Sequence, residues 1–220
     1  MASRVPSKIV LATARGDVAM VQSWLESGGD ANQDLPDGYR QLINVFEEID
    51  SDDEDNNIRG QRLLEVATEH ENCDLIRILI AHGADLDHEF YYCGSEATAL
   101  HFALDEKLNY AAKLLIASGA DVTRQYDSII SSALLDPPLL RAVLISGVDP
   151  SAPFEDVYYG EGMTPEAYAR SRRDYYVEDP RNYHSDFAGI YGETVTILED
   201  WCATSVPRCR QRDQSKPSLK

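Results

Sequence analysis

The sequence predicts an all-α solenoid of about five helix-turn-helix repeats with short hairpin loops and two insertions. Two observations carry this prediction. A Gly-x-Asp signature follows an apolar helical pattern four times, as Gly28-Gly29-Asp30, Gly83-Ala84-Asp85, Gly119-Ala120-Asp121 and Gly147-Val148-Asp149. Upstream of each, apolar residues share one register: Val21/Trp24/Leu25, Ile76/Leu79/Ile80, Ala112/Leu115/Ile116 and Leu140/Val143/Leu144. That i, i+3, i+4 spacing lays a buried stripe along a helix, and Gly supplies the left-handed residue that ends it. The second observation is a shorter apolar segment ahead of these helices. Thr98-Ala99-Leu100-His101-Phe102-Ala103 is the clearest, and Thr164-Pro165-Glu166-Ala167-Tyr168-Ala169 lies nearest the C-terminus. Threonine accepts from the free amides of a first turn, and proline at the first helical position gives up a donor that would be unpaired anyway.

These residues resemble the ankyrin repeat, whose pattern runs T-P-L-H-x-A, a glycine-containing turn, a V-x-L-L helix and G-A-D-V-N. The resemblance implies an array over residues 8–201. An N-terminal capping repeat occupies 8–32, with Gly16-Asp17 between its helices, and internal repeats follow at 60–87, 96–123 and 126–150. A C-terminal capping repeat at 162–201 closes the array, its second helix at 193–201 turning Val195, Leu198 and Trp201 inward. The intervals between the repeat-ending glycines are 55, 36 and 28 residues, against a family period of about 33. The long interval implies an insertion over 33–59, and the short one a trimmed loop around 123–127. In the trimmed repeat Asp136-Pro137-Pro138 opens the second helix. His101 stands at the motif histidine, where the resemblance implies a structural hydrogen bond.

The first insertion has two parts. Asp37-Gly38 signals a turn, after which Tyr39, Leu42, Ile43 and Phe46 fall at helical spacing. Residues 47–55 then hold seven acids in nine positions. Acids oppose a helix C-terminus, so a helix here ends near Glu47 and the run is solvated. It reads either as a plain solvated loop or as an electrostatic arm for a basic partner. Ser51-Asp52-Asp53-Glu54 also looks like a site for an acid-directed kinase, a pattern too short to carry weight. The second insertion, 171–189, separates the helices of the last repeat and is rich in Tyr, Arg and Asp. Its Tyr175, Tyr176, Tyr183 and Phe187 are either interface anchors or a cover for the apolar end of the array. Residues 202–220 read as a basic, disordered tail.

Charge separates these parts. The chain has 38 acidic and 20 basic side chains, a net charge of −18. Five of the basic groups (Arg208, Arg210, Arg212, Lys216, Lys220) lie in the tail with one acid, Asp213. An acidic body of this kind argues against nucleic acid or an anionic membrane as the main partner. No apolar run reaches the roughly 18–20 residues that span a bilayer. The segment 9–14 is too short for a secretion signal. Four scattered cysteines (Cys73, Cys93, Cys202, Cys209) without CxxC suit a reduced, intracellular setting, cytoplasmic or nuclear.

Reactive constellations are missing: there is no G-x-S-x-G, P-loop, G-x-G-x-x-G or H-E-x-x-H. No catalytic, cofactor-binding or metal-binding residues are expected. His70, Cys73, His82 and His88 are the nearest approach to a metal cluster. The resemblance places Cys73 on an inter-helix turn, and His82 beside a helix-ending Gly suits the last carbonyls. Cys93 is the candidate exposed thiol.

The ankyrin resemblance implies that function lies on the concave face built by hairpin tips and first helices. The expected partner-binding residues are Asp87, Glu89, Phe90, Tyr91, Tyr92, Arg124, Tyr126, Phe154, Glu155, Asp156, Tyr158 and Tyr159. Asn32, Gln33, Asp34 and His88 flank them. Aromatic rings among acids favour Lys or Arg on a partner through ion pairs and cation–π contacts. The expected function is therefore a monomeric, non-catalytic protein-interaction module, an adaptor or masking subunit for a basic segment of another protein. Two alternatives stay open. One is a structural scaffold self-associating through Tyr39, Leu42, Ile43 and Phe46. The other is a metal-binding or thiol-dependent enzyme using Cys73, Cys93 and the histidines.

Overall fold

The computed structural model describes residues 4–43, 58–124, 126–156, 160–178 and 185–212. The chain divides into two units, Met1–Arg124 and Gln125–Lys220. The acidic run at 47–55 and its Ser51, with Phe46, Tyr183 and the last eight residues, lie outside the described residues.

The N-terminal unit contains three antiparallel helical pairs. They are α1 (Ser7–Arg15) with α2 (Val18–Glu26), α4 (Leu63–Glu69) with α5 (Cys73–Ala81), and α6 (Ala99–Asp105) with α7 (Asn109–Ala117). A short helix, α3 (Tyr39–Ile43), packs on α1. First helices stack on first helices and second on second. Between them lies an almost purely aliphatic core of Val10, Leu63, Leu64, Leu75, Ile76, Leu79, Leu100, Ala111 and Leu115. The inward stripe predicted from the i, i+3, i+4 register is this core. Thr98 caps α6 by accepting from the His101 amide at 3.3 Å.

Each pair turns through a left-handed residue: Gly16 at φ 75°, Glu71 at 47° and Lys107 at 59°. Gly16 is demanded twice over, because a Cβ there would also stand 2.7 Å from Asn72 Nδ2 of the next repeat. Glu71 and Lys107 hold the same geometry without that freedom. Cys73, expected on the turn, instead opens α5 behind the N-cap Asn72.

A two-stranded hairpin joins the second and third pairs, β1 (Phe90–Tyr92) with β2 (Ser95–Ala97). Its turn, Cys93-Gly94, has positive φ at both central residues (47° and 88°), the type I′ geometry that matches strand twist. Arg59 bridges to Tyr91 on the outer side of β1, through amide–carbonyl bonds of 3.0 and 2.8 Å.

In the C-terminal unit α8 (Tyr126–Ala133) pairs with α9 (Pro137–Ile145), the latter capped by Asp136 at 2.9 Å from the Leu139 amide. A hairpin of β3 (Phe154–Asp156) and β4 (Gly160–Met163) leads to α10 (Pro165–Glu178) and α11 (Ser185–Arg212). Buried Thr194 on α11 donates to the Leu134 carbonyl at 3.0 Å and pins α11 beside the α8–α9 turn.

Here the structure departs from expectation. The segment read as an insertion, 171–189, is mostly helix, and the second helix reaches far past 193–201 in both directions. The reason is a stripe that crosses the supposed insertion: Tyr168, Arg172 and Tyr176 recur every four residues on α10, and Phe187, Tyr191, Val195 and Leu198 follow at intervals of four, four and three on α11. Their rings interlock, Tyr176 stacking on Phe187 (5.5 Å) and Tyr191 (6.0 Å) while Tyr168 bridges Tyr191 (6.4 Å) and Phe154 (5.3 Å). α11 itself runs on through Arg212, into the segment read as a tail.

Candidate partner-binding face

Every Gly-x-Asp tip is built the same way. The motif glycines take left-handed φ of 98°, 81°, 99° and 100°. Each motif Asp then accepts, through Oδ1, the amide two residues on: Asn32, Asp87, Thr123 and Ser151 donate at 2.9, 3.1, 2.9 and 2.9 Å. The Thr123 hydroxyl and amide together hold the Asp121 carboxyl below the usual range.

Consecutive tips of the N-terminal unit are also tied to each other. Asn32 accepts from the Asp85 amide (2.8 Å) and donates to the Gly83 carbonyl (2.8 Å). Asp87 accepts from the Asp121 amide at 2.8 Å. Asp87, expected to face a partner, is thus spent on joining repeats.

The aromatic residues part company in the same way. Phe90 (2% exposed) and Tyr92 (8%) belong to a small core with Ala97 and Phe102, and Ile58 and Leu108 pack against it. Tyr92 meets Phe102 edge-on at 5.0 Å, and its hydroxyl donates to Glu106. Burial and that carboxylate raise the Tyr92 pKa. The expectation that these rings stand clear of a core is corrected: alternation along β1 turns Phe90 and Tyr92 inward and leaves Tyr91 facing out. Phe154 (1%) is corrected likewise, packed on Tyr168. Tyr126 is half-buried, and its hydroxyl lies 3.1 and 3.0 Å from the carbonyls of Asp149 and Ala152. Its pKa is pushed up to about 12 by burial, with Asp149 and Asp127 adding to the shift. The side chains of Glu155 and Asp156, and residues Tyr158 and Tyr159, lie outside the described residues.

What the structure does bring together is Glu89, Tyr91, Arg59 and Arg124. Arg124 pairs with exposed Glu89 at 2.6 Å and lies 3.7 Å from Asp121. The Arg59 guanidinium sits 5.0 Å over the Tyr91 ring. Arg59 escaped the sequence reading because it falls at the edge of an insertion and belongs to no motif.

The remaining singled-out residues take structural places. His101 Nδ1 is buried without a hydrogen-bond partner among the described residues, and its Nε2 lies 3.8 Å from Asp105, so the implied hydrogen bond is not formed. The same repeat position holds buried Glu65, whose Oε2 accepts from the Arg62 amide at 2.7 Å. Burial raises its pKa, opposed in part by the Arg62 amide, by His88 and by the Arg62 charge. His88 Nε2 donates to the Gly60 carbonyl at 2.8 Å. His82 is the C-cap of α5. Among the described residues no group of three or more His, Cys, Asp and Glu converges. Cys93 is exposed at its hairpin apex, while Cys73 and Cys202 are half-buried. Tyr39 lies in the core, which withdraws it from the proposed self-association face. None of the described helices is long and apolar enough to cross a membrane.

Stacked helical pairs whose tips are locked by Asx turns define a helical repeat protein, a class whose members present a continuous face of loops and first helices. A family model described as ankyrin repeats (3 copies) matches residues 9–126, more than half of the chain, and the chain belongs to the ankyrin-repeat family. No curated protein matches the sequence. Ankyrin repeats are generally protein–protein interaction modules and are typically not enzymes.

Proposed function

We propose that this chain is a non-catalytic adaptor or masking subunit that takes a Lys- or Arg-containing segment of another protein on the hairpin tips of its N-terminal unit. The Gly147-Val148-Asp149 tip and its α8–α9 pair support extending the repeat reading across 8–201, with a monomer as the acting form. One observation carries the proposal. The exposed acid and the outward ring of the tips already hold arginines of the same chain, Glu89 with Arg124 and Tyr91 under Arg59. Such exposed contacts are individually worth under about 1 kcal/mol, so an incoming guanidinium can replace them at little cost.

Titration with a labelled Arg-Gly-Arg peptide, against its citrulline counterpart, tests this by fluorescence anisotropy. Binding is expected to weaken several-fold in Glu89→Gln and Tyr91→Ala, and to strengthen in Arg124→Ala, which removes the internal competitor. Equal binding of the citrulline peptide would sink the assignment.

A further inference from the structure

In the N-terminal unit Gln61, Glu65 and Glu69 recur every four residues into α4, a polar row. In the third pair the last two of these positions are His101 and Asp105, and there Asp105 is left exposed. On α4 the row carries Tyr39 and Arg40 of α3. The Tyr39 hydroxyl donates to Gln61 Oε1, and Arg40 Nη1 donates to both Glu69 oxygens at 2.7 and 2.6 Å. Burial raises the Tyr39 pKa, Arg40 opposes it, and Glu69 and Glu65 add to the rise, so the ring lies among these acids.

The fit of α3 to the row is incomplete. Gln61 is 1% exposed and Glu65 is 0% exposed, yet Gln61 Nε2 and Glu65 Oε1 have no hydrogen-bond partner among the described residues. Buried polar groups are ordinarily satisfied, and leaving one unpaired costs free energy. With five residues, α3 is far shorter than the roughly 12–15 that a helix needs to persist alone, so its place depends on its docking. Tyr39 and Arg40 hold it down, and the two unpaired atoms count against it. A cleft of about 490 Å³ runs beside it, with Tyr39, Arg40, Arg59 and Gln61 in its lining. That lining is of mixed charge and selects no ligand of its own, but the cleft gives another chain access to the edge of α3.

We propose that α3 is a displaceable strap, an internal stand-in for an arginine-containing segment of a partner protein that docks on the Gln61, Glu65 and Glu69 row. The partner's guanidinium takes the place of Arg40 on Glu69, α3 lifts, and the row opens. A further donor of the partner then satisfies Glu65 Oε1, which α3 leaves unpaired. The inference rests on the proposed function only for the basic character of the partner, and its site is separate from the hairpin tips.

Two readouts on the full chain test this. Carbodiimide coupling of glycine ethyl ester, read by mass spectrometry, reports access to Glu65. Its labelling is expected to rise several-fold in Arg40→Ala, although the bonds of Arg40 go to Glu69, with helical circular dichroism unchanged. Arg40→Lys, which keeps the charge without the fork, should move labelling the same way by less. A fluorescein-labelled Gly-Tyr-Arg-Gly peptide is then titrated by anisotropy in a Glu89→Gln, Tyr91→Ala background, which disables the tips and scores the two sites apart. Adding Arg40→Ala to that background should tighten binding about tenfold by removing an internal competitor, and adding Glu69→Gln should cancel the gain. Gly-Tyr-Gln-Gly is expected to bind about tenfold more weakly, the worth of one charge-assisted hydrogen bond. Unchanged Glu65 labelling in both Arg40 variants, no gain in peptide binding, or equal binding of the two peptides would overturn the proposal.

Discussion

The two units use the same Gly-x-Asp tip on different interiors. In the N-terminal unit short helices meet through aliphatic side chains, and side chains of one tip hold backbone amides of the next. In the C-terminal unit the pair α10–α11 is longer and is held by a run of packed rings from Phe154 to Phe187, edge-on at Tyr168 and stacked at Tyr176, with Arg172 lying over Tyr175 and Tyr176 at 5.2 and 5.1 Å. Aliphatic burial is non-directional and tolerates a repeated template. Ring packing is directional, so the second pair has its own lengths and register. A shared turn chemistry therefore sets the period of a repeat but not what lies between its helices.

The largest effect should separate the interiors. Leu79→Ala opens a cavity in the aliphatic stripe, where that side chain is fully buried, and is expected to cost about 2–5 kcal/mol in chemical denaturation. Tyr176→Ala removes a half-buried ring from the α10–α11 stack and should cost about 1–2 kcal/mol. A larger loss at Tyr176 would show that the rings, and not the aliphatic stripe, dominate stability.

Glu65 sharpens the comparison from within the regular unit. Its carboxyl is raised by burial above the ordinary value near 4.5. The folded chain therefore holds that proton more tightly than the unfolded chain. Stability tied to the group is complete below the ordinary value and is lost as pH rises through the folded one. Glu65→Gln should raise Tm by a few degrees at pH 8, with the gain vanishing below pH 4. A gain that persists at acid pH would mean that packing, not charge, is responsible.

The smallest effect concerns the turns. Lys107→Gly relieves a side chain held at φ 59° and should stabilise the third pair by about 0.5–1 kcal/mol, read as a rise in denaturation midpoint. Gly16 already occupies the matching turn of the first pair.

Much of the array was legible because its signals act over a few residues. Thr98 and Asp136 cap the helices they precede, and the glycines at 28, 83, 119 and 147 take the left-handed form that the motif requires. The inward stripe is likewise a property of helical periodicity. The binding face was less legible. Phe90-Tyr91-Tyr92 read as three exposed rings, and only pairing of β1 with β2 over Phe102 shows that alternation buries two of them. Asp87 read as a free acid until the Asp121 amide, 34 positions away, came within 2.8 Å of it. The α10–α11 stripe was present as three- and four-residue spacing but passed for an insertion, because on α10 its positions are Tyr and Arg.

The sequence by itself determined the repeat, its caps and its stops, since each depends on a dihedral preference or a hydrogen bond within one turn of chain. Tertiary structure alone decided which tip residues remain for a partner, because burial and the reach of a side chain to another repeat's backbone depend on segments tens of residues apart. It also decided that Arg59, Gln61 and Tyr39 share one cleft. No local rule brings together residues from the two ends of an insertion; they meet there because α3 packs on α1 and Arg59 bridges to Tyr91 of β1.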